Sequence, residues 1–453
     1  MTNESYKGER LVHENFSQVT SLHSADRITG FGELDQGEIL SRYQGLTQSI
    51  DVGLGRKGAP TTRDGGVMAV RTGIPLVTPQ AWEAVSPGSA AVVVTVAGTN
   101  WESHLAVKGD DGDIVLTLIR RTPYLGSQRS VSYEAFIERI AASVMDVRSH
   151  LSEGSASIGV SFGFPHTNTA TRFGIDAQLL SDTGRLPKGW ELTDWNSVSS
   201  EQRYIGKALL SQLSDRGVTV NSLSVINDTA AVALDSGAAL AAGRAGLSIL
   251  PAGVVGGTGT NAAILNNGGL VNLELGHAPW PEDDVSRRMR DNGWAQGTSE
   301  LEQETGMYLA YRLCAGLQLL GERGLISDGQ QLAQETLARA QERQVYLSDL
   351  AAGETTPRNS NLLTELAQAV LNRAGQVYGV ALASVASAVT VTGLPGKSAV
   401  LVEGAVLLTG AGIKKRAQET AAGLGHLVAI TPASGLKGIA SLVMAWDNAR
   451  SSE

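Results

Sequence analysis

The sequence predicts an α/β protein with two lobes, in which mixed or parallel sheets are covered by helices. Its 453 residues exceed the length of one ordinary compact core. Apolar strand-like segments alternate with helical ones along most of the chain, the order typical of sheets with helices packed on their faces. A pattern of three strands followed by a helix occurs once in each half, and such an internal repeat predicts two related lobes.

Composition and charge narrow the classes of partner. Hydrophobic residues make up 42% and charged residues 18% of the chain, ordinary values for a folded globular protein. The net charge of -9 argues against a nucleic-acid partner, because binding phosphates along a backbone needs clustered Lys and Arg. We therefore expect a small-molecule ligand. The sequence leaves the oligomeric state open.

Cysteine usage and the amino-terminal residues predict a cytoplasmic location. The single Cys314 cannot form an internal disulfide. Residues 1–16 are too polar for the core of a signal peptide. No apolar run approaches the roughly 20 residues needed to cross a bilayer, so we expect no membrane role.

The first ninety residues carry little pattern, and the first repeat follows them. Residues 1–90 are mostly polar, and we interpret them as surface helices and a lead-in segment. A helix is predicted at about 133–150, where Phe136, Ile140 and Val144 form one apolar face. The predicted strands of the first repeat are 91–96, 104–108 and 114–120, with turns at 97–100 and 109–113. A further strand is predicted after the helix, at 157–164.

The second repeat has the same order. Its predicted elements are the strand 247–256, the turn 257–261, the strand 262–265, the turn 266–269, the strand 270–275 and a helix at 299–321. Both turns that follow the first strand contain Gly-Thr-Asn, at 98–100 and 259–261. Paired turns of this kind predict backbone N–H groups facing one anion, although two ordinary hairpins with shared turn residues explain the pattern equally well.

The remaining segments continue the alternation of strands and helices. They are predicted as a strand at 222–226, helices at 230–240 and 363–388, a strand at 399–402, a helix at 413–424, a strand at 427–431 and a last helix at 438–449. This order favours ligand binding at strand ends.

From residue 91 to the last helix the chain resembles the hexokinase family. Six stretches carry the resemblance: Val96-Ala97-Gly98-Thr99-Asn100-Trp101, Pro187-Lys188-Gly189-Trp190, Ile226-Asn227-Asp228-Thr229, Gly257-Thr258-Gly259-Thr260-Asn261-Ala262, Gly306-Met307-Tyr308-Leu309 and Ser434-Gly435-Leu436-Lys437-Gly438. The resemblance implies two ribonuclease H-like lobes of the actin-like ATPase type with a cleft between them. It also implies phosphoryl transfer from ATP, with Mg²⁺, to a hexose.

The resemblance further implies a division of the chain. Residues 1–90 form a helical lead-in, 91–224 the small lobe and 225–437 the large lobe. Residues 438–453 form a carboxyl-terminal helix that packs back toward the small lobe.

Asp228 is the expected catalytic base. Phosphoryl transfer to a hydroxyl needs a carboxylate that accepts the proton. Asp228 lies between a predicted strand and a predicted helix, and from position alone it reads as a helix cap. Similarity to the family's Asn-Asp-Thr motif favours the base. Lys188 resembles the small-lobe lysine that contacts the sugar and the transferring phosphate, although a lysine in a loop is more often only solvated.

Sugar binding needs fixed donors and acceptors for a ring of hydroxyl groups. Glu274 is also explained as the solvent-facing residue of an alternating strand, and Glu302 as part of a capping box begun by Ser299. The residues at the family's sugar-binding positions are Asn227, Asn261, Glu274, Glu302, Phe164 and Pro165.

Nucleotide binding is expected at three glycine-containing segments, because glycine lets the backbone approach phosphates closely. Ordinary glycine turns are the alternative. The residues implied are Gly98, Thr99, Asn100, Gly257, Thr258, Gly259, Thr260, Ser434 and Lys437.

Four positions depart from the family pattern, all in the predicted small lobe. Thr95 replaces the aspartate that holds magnesium through water, so the metal ligands are unknown. Glu102 replaces an arginine, and we consider a magnesium-binding role for it. Gly163 and Pro187 replace a serine and a threonine, which removes two hydroxyl partners of the sugar.

These features support three hypotheses. The first is an ATP-dependent kinase that phosphorylates a primary hydroxyl of a hexose or hexose-like sugar. The second, based on Thr95 and Glu102, is a catalytically impaired sugar sensor or regulatory protein. The third, based on Gly163 and Pro187, is a kinase for another polyol or an amino sugar.

Overall fold

The computed structural model describes most of the chain. The described residues are 31–56, 69–72, 74–97, 100–124, 126–151, 155–186, 190–241, 248–257, 259–295, 299–342, 346–351, 361–390 and 398–451.

Sixteen strands lie in the described residues and form four sheets. They are β1 Val70–Arg71, β2 Ala90–Val96, β3 Asn100–Lys108, β4 Ile114–Pro123, β5 Ser130–Val131, β6 Ser155–Phe162, β7 His166–Thr171, β8 Gly174–Leu179, β9 Arg185–Leu186, β10 Trp190–Leu192, β11 Thr219–Ile226, β12 Ser248–Gly256, β13 Thr260–Asn266, β14 Gly269–Asn272, β15 Ser398–Glu403 and β16 Val428–Pro432.

The α-helices in the described residues cover the sheets. They are α1 Gln36–Gly53, α2 Pro79–Glu83, α3 Tyr133–Arg148, α4 Ile205–Asp215, α5 Asp228–Ala241, α6 Asp284–Asp291, α7 Glu300–Gln303, α8 Leu309–Glu322, α9 Gly329–Glu342, α10 Tyr346–Ala351, α11 Asn361–Thr390, α12 Ala405–Thr409, α13 Ile413–Gly423 and α14 Gly435–Ser451. No helix in the described parts of the chain is long and apolar enough to span a bilayer.

The two main sheets have the same topology, which confirms the repeat predicted from the sequence. In the five-stranded sheet the order is β11-β6-β2-β3-β4, and in the six-stranded sheet it is β1-β14-β13-β12-β15-β16. Each contains an antiparallel meander of three strands, β2 to β4 or β12 to β14. Each continues with two strands parallel to the first, β6 and β11 or β15 and β16. The predicted α/β class is therefore confirmed.

Two helices lie between the two sheets. One face of α5 packs on β12, where a Cβ added to Gly253 would lie 2.5 Å from the Ala233 nitrogen. Its other face packs on α14, where a Cβ added to Gly438 would lie 1.9 Å from the Ala231 carbonyl oxygen. Only glycine allows this approach. Apolar side chains of α14, among them Ile439, share one buried core with Val93 of β2.

The segment before residue 90 is not a set of surface helices, and that prediction is wrong for the described part. Helix α1 begins with a capping box formed by Asp35 and Glu38. Its inner face buries Ile39, Leu46 and Ile50 in the core that also contains α11. The α1 segment has a low overall hydropathy, and only a few of its side chains form the buried face. The sequence pattern therefore did not predict that this face is buried.

Two other predicted elements differ from the structure. The predicted helix at 299–321 is interrupted, because Gly306 has a positive φ of 60° between α7 and α8. The predicted strand at 270–275 ends at Asn272. The helix break and the early strand end both turn polar residues toward the interior. The helix and strand propensities of the residues in one segment do not reveal this.

A buried network of charged side chains joins α1 to the large-lobe helices. Glu304 accepts hydrogen bonds from Arg42 at 3.1 Å and from Arg373 at 3.0 and 3.1 Å. Asp283 accepts from Arg312 and, at 3.2 Å, from Arg373. All five side chains are at most 7% exposed. Buried charges persist only where each one is paired.

Candidate active site

Asp228 lies where β11 ends and α5 begins. Its Oδ1 accepts a hydrogen bond from the Thr229 backbone N–H at 2.7 Å. The cap of α5 is supplied by Asn227, whose Oδ1 accepts from the N–H groups of Thr229 at 2.9 Å and Ala230 at 3.4 Å. The alternative of Asp228 as the capping residue is therefore weakened, because its neighbour performs that role.

The loop after β6 borders the Asp228 carboxylate. A Cβ added to Gly163 would lie 3.5 Å from Asp228 Oδ2 and 3.4 Å from the Val96 carbonyl oxygen. The carboxyl ends of β2, β6 and β11 thus meet around one point. Ligands of α/β proteins bind at such strand ends.

Glu274 is directed into the same region by an unusual backbone conformation. Its φ is 46°, in the left-handed region, and it follows the end of β14. The interpretation of Glu274 as a solvent-facing strand residue is therefore wrong. Burial raises the pKa of its carboxyl, and the charges of Asp228 and Glu302 raise this pKa further, against the lowering effect of His277. Asp228 and Glu302 thus both lie within electrostatic range of Glu274.

Asn261 and Glu274 belong to one chain of hydrogen bonds. Asn261 Nδ2 donates to Asn272 Oδ1 at 2.9 Å, and Asn272 Nδ2 donates to Glu274 Oε1 at 2.6 Å. Asn261 Oδ1 also accepts from the Leu275 N–H at 3.1 Å. This chain fixes the orientation of both predicted sugar-binding side chains, as preorganised sites require.

Glu302 lies in the first turn of α7, and its carboxylate lies beside two glycines. Its backbone N–H donates to the Ser299 hydroxyl at 3.3 Å, so Ser299 caps α7 as predicted. A Cβ added to Gly276 or Gly259 would lie 2.7 or 3.1 Å from Glu302 Oε1. The carboxylate therefore lies beside the Gly-Thr-Asn turn of the second repeat.

Glu403 is a further carboxylate of the cleft that the sequence reasoning missed. It is the last residue of β15, and its Oε2 accepts from the Gly435 N–H at 2.9 Å. Burial raises the pKa of Glu403 to about 7; the Gly435 hydrogen bond opposes this shift, and the charges of Asp228, Asp235 and Glu102 add to it. The available signal was an acidic residue directly after a predicted buried strand, the same signal that marked Asp228.

The glycine turns of the large lobe form a close backbone contact. Gly404 has a φ of 118°, and a Cβ added there would lie 2.5 Å from the Gly256 carbonyl group. A Cβ added to Gly257 would lie 3.7 Å from Gly404 Cα. Glycine at position 404 therefore lets the ends of β12 and β15 approach each other closely, because a side chain there would collide with the Gly256 backbone.

Other predicted nucleotide residues have partners within the chain. The Thr260 hydroxyl is buried and donates to Thr305 Oγ1 at 2.7 Å, so its backbone alone remains for a ligand. The Ser434 N–H donates to Asp235 at 3.2 Å, and Lys437 Nζ donates to Asp113 at 2.7 Å. Asn100 is exposed at the start of β3. Their nucleotide contacts stay predictions.

Phe164 and Pro165 support the loop beside Asp228. The Phe164 ring is 1% exposed and packs edge-on against Phe162 and Trp190, with ring centroids 5.4 and 6.1 Å apart. The Pro165 carbonyl accepts from the Leu180 N–H at 2.9 Å. The structure therefore gives the Phe164 side chain a packing role.

Five positions of the sequence prediction lie outside the described residues. They are Gly98, Thr99, Pro187, Lys188 and Thr258.

The departures Thr95 and Glu102 lie on one face of the small-lobe sheet. Thr95 is opposite Glu102 across β2 and β3, and Glu102 is opposite Arg121 across β3 and β4. Glu102 accepts from Arg121 at 2.7 Å and contacts His104 Nε2 at 3.1 Å. Among the described side chains no group of three or more His, Cys, Asp or Glu could hold a metal ion. The Glu102 carboxylate is engaged by Arg121.

The structure is an α/β protein with two related sheets, and carboxylates and glycine turns lie at the strand ends of both. The chain has the hexokinase fold. A hexokinase from Schistosoma mansoni complexed with glucose is 15% identical, with a TM-score of 0.68 over 93% of this chain and 98% of that one. Another hexokinase structure is 16% identical, with a TM-score of 0.71 over the same shares.

Comparison of the sequence alone gives no match. No protein-family model matches the chain, and the search of curated proteins found none similar to it. The predicted resemblance to hexokinases is confirmed at the level of the fold.

Glu403 makes the stability of the protein depend on pH. Because its folded-state pKa of about 7 lies above the value near 4.3 of an unfolded chain, its contribution to stability is lost as the pH rises through 7. We expect Glu403→Gln to gain stability relative to wild type between pH 5 and pH 8, by up to about 2 kcal/mol. Urea unfolding at both pH values measures this, with the exposed Glu419→Gln as control; a constant difference between variant and wild type contradicts the assignment.

Proposed function

We propose that the protein transfers the terminal phosphoryl group of ATP to a primary hydroxyl of a hexose or hexose-like sugar, with Asp228 as the general base. The observation that carries the proposal is the position of the Asp228 carboxylate, directly after β11 and beside the Gly163 loop that follows β6. The hexokinase fold supports it. A cytoplasmic location is part of the same proposal.

The large-lobe residues supply sugar recognition. Each hydroxyl of a buried sugar needs a partner, and carboxylates accept hydrogen bonds from hydroxyl groups strongly. Asn261, Glu274 and Glu302 bring one amide and two carboxylates to adjacent positions. The hydrogen-bonded chain through Asn272 holds two of them in place, so the sugar meets a preformed site.

Asp228 then moves the proton. As the sugar oxygen bonds to the terminal phosphorus, the bond from that phosphorus to the bridging oxygen breaks and ADP leaves. The proton of the attacking hydroxyl passes to Asp228. The Thr229 N–H at 2.7 Å orients the carboxylate for this transfer.

The glycine turns offer space for the nucleotide. Gly257 directly follows β12, and a Cβ added there would meet no atom closer than 3.7 Å, so its backbone has room for a phosphate beside it. Mg²⁺ would supply charge neutralisation of the phosphates. Lys188 would hold the transferring phosphate as part of the same proposal.

A coupled assay for ADP release tests the function. It is run with ATP and Mg²⁺ against a panel of hexoses, polyols and amino sugars, which also separates the third hypothesis from the first. Release that depends on one of these sugars supports the proposal. Equal release with and without every sugar contradicts it.

Gly163 offers a way to test sugar selectivity. A side chain at this position fits without a close contact and would lie beside Asp228 Oδ2. Gly163→Ser adds one hydroxyl where the family has one, and one added hydrogen bond is worth about 1 kcal/mol. We therefore expect the KM for glucose to fall about fivefold, measured in the ADP assay. Gly163→Ala is the matched control, and an equal effect of both substitutions would refute a role for the hydroxyl.

A sugar-binding sensor is the second candidate. The departures Thr95 and Glu102, which lie opposite each other across β2 and β3, favour it, because neither supplies the aspartate and the arginine of the family at these positions. Calorimetry discriminates the two. Sugar binding without binding of ATP and Mg²⁺ favours the sensor, whereas binding of both favours the kinase.

A further inference from the structure

Strand β4 forms the outer edge of the small-lobe sheet. Among the described residues it pairs with β3 and with no other strand. It is ten residues long, from Ile114 to Pro123. An edge strand presents N–H and C=O groups that another strand can pair with, and most proteins keep such edges short or cover them.

The first half of β4 is apolar and exposed. Residues 114–118 carry no charge, and Val115 and Leu118 are 60% and 47% exposed. Regular pairing with β3 ends at a bulge, because Ser103 pairs with Arg120 while His104 pairs with Leu118 and Ile119 is the extra residue. The regular edge is therefore five residues long.

Opposite charges flank this edge. Asp110 and Asp111 lie exposed in the turn before it. Arg120 and Arg121 lie exposed after it, and each also contacts a carboxylate of its own chain, Asp146 and Glu102. An antiparallel copy of the same segment, related by a twofold axis at Leu116, would place the aspartates of each copy beside the arginines of the other. The segment is thus complementary to itself in hydrogen bonding, apolar surface and charge.

We propose that two copies of this chain pair through β4 in antiparallel orientation, which joins their two five-stranded sheets. The symmetry closes the assembly at two chains, because each copy uses the same edge. The contact is small, and small interfaces give weak, concentration-dependent association. The proposal does not depend on the catalytic role of the cleft.

Sedimentation velocity over a range of protein concentrations tests the pairing. We expect a monomer–dimer equilibrium for the wild type and at least a ~10-fold higher dissociation constant for Leu118→Lys, which places a charged side chain opposite the apolar Ile114 of the other copy. The matched control is Leu40→Lys on α1, where the side chain is 48% exposed, and it should leave the constant unchanged. Thermal melting by circular dichroism checks that both variants fold.

Charge exchange tests the orientation. Asp110→Lys with Asp111→Lys in one chain, and Arg120→Glu with Arg121→Glu in another, should each prevent self-association. A mixture of the two variants should restore a dimer, since both ends of the contact then carry opposite charges. A wild type that stays monomeric, a dimer that survives Leu118→Lys, or a mixture without recovery would each overturn the proposal.

Discussion

Asp228→Asn is expected to slow sugar-dependent ADP release by about 10²–10⁴-fold, the usual contribution of a general base. Asn has nearly the same shape as Asp, and its amide oxygen can keep the hydrogen bond from the Thr229 N–H. It cannot take the proton of the sugar hydroxyl. The loss should therefore appear in kcat, measured at saturating sugar and ATP, while the affinities for both ligands change little.

A surface replacement separates this effect from a general loss of folded protein. Asp215 ends α4 and is exposed, so Asp215→Asn removes the same charge without touching the crevice. We expect wild-type rates for this control. If Asp228→Asn retains more than about a tenth of the wild-type kcat, Asp228 is not the base.

Glu304→Ala is expected to destabilise the protein by about 3–5 kcal/mol, because it leaves buried guanidinium groups without their carboxylate. Glu304 contacts Arg42 and Arg373 directly, and the Trp280 Nε1–H donates to it at 3.1 Å. Burial alone would raise the pKa of Glu304, but the charges of Arg373, Arg312 and Arg42 hold it well below its ordinary value. The substitution removes all of these contacts at once.

The free energy of unfolding in urea measures the effect, and an exposed pair provides the control. Glu419 lies on α13 with its side chain 49% exposed, at 3.6 Å from Arg416 and 3.8 Å from Lys415. Glu419→Ala should cost less than about 1 kcal/mol, as exposed ion pairs usually do. Equal losses of unfolding free energy for Glu304→Ala and Glu419→Ala would show that the buried charged network does not stabilise the packing of α1.

The sequence predicts much of the fold because the strands of both meanders are apolar, short and separated by turn residues. β2, β12 and β15 begin and end within a residue or two of their predicted limits. Helix α1 was misjudged because its buried stripe is narrow and its partner α11 is more than 300 residues away. The interruption at Gly306 depends on tertiary packing, which segment propensity does not record.

The candidate site is predictable to a similar degree. The family resemblance singled out Asp228, Glu274 and Glu302, and in the structure Asp228 and Glu302 both lie within electrostatic range of Glu274; their roles stay predictions. Glu403 directly follows a predicted buried strand, but it was missed because it lies in none of the stretches that resemble the family; the pairing of β12 with β15 brings it within electrostatic range of Asp228. The pairing of Glu102 with Arg121 likewise depends on the register of β3 and β4.

The most direct test of phosphoryl transfer in the cleft is detection of the product. Wild-type protein is incubated with ATP, Mg²⁺ and each sugar of the panel, and phosphorus NMR follows both nucleotide and sugar phosphates. We predict one sugar monophosphate formed in equal amount to ADP. Release of inorganic phosphate in place of a sugar phosphate, or unchanged ATP in the presence of every sugar that the protein binds, would contradict the account.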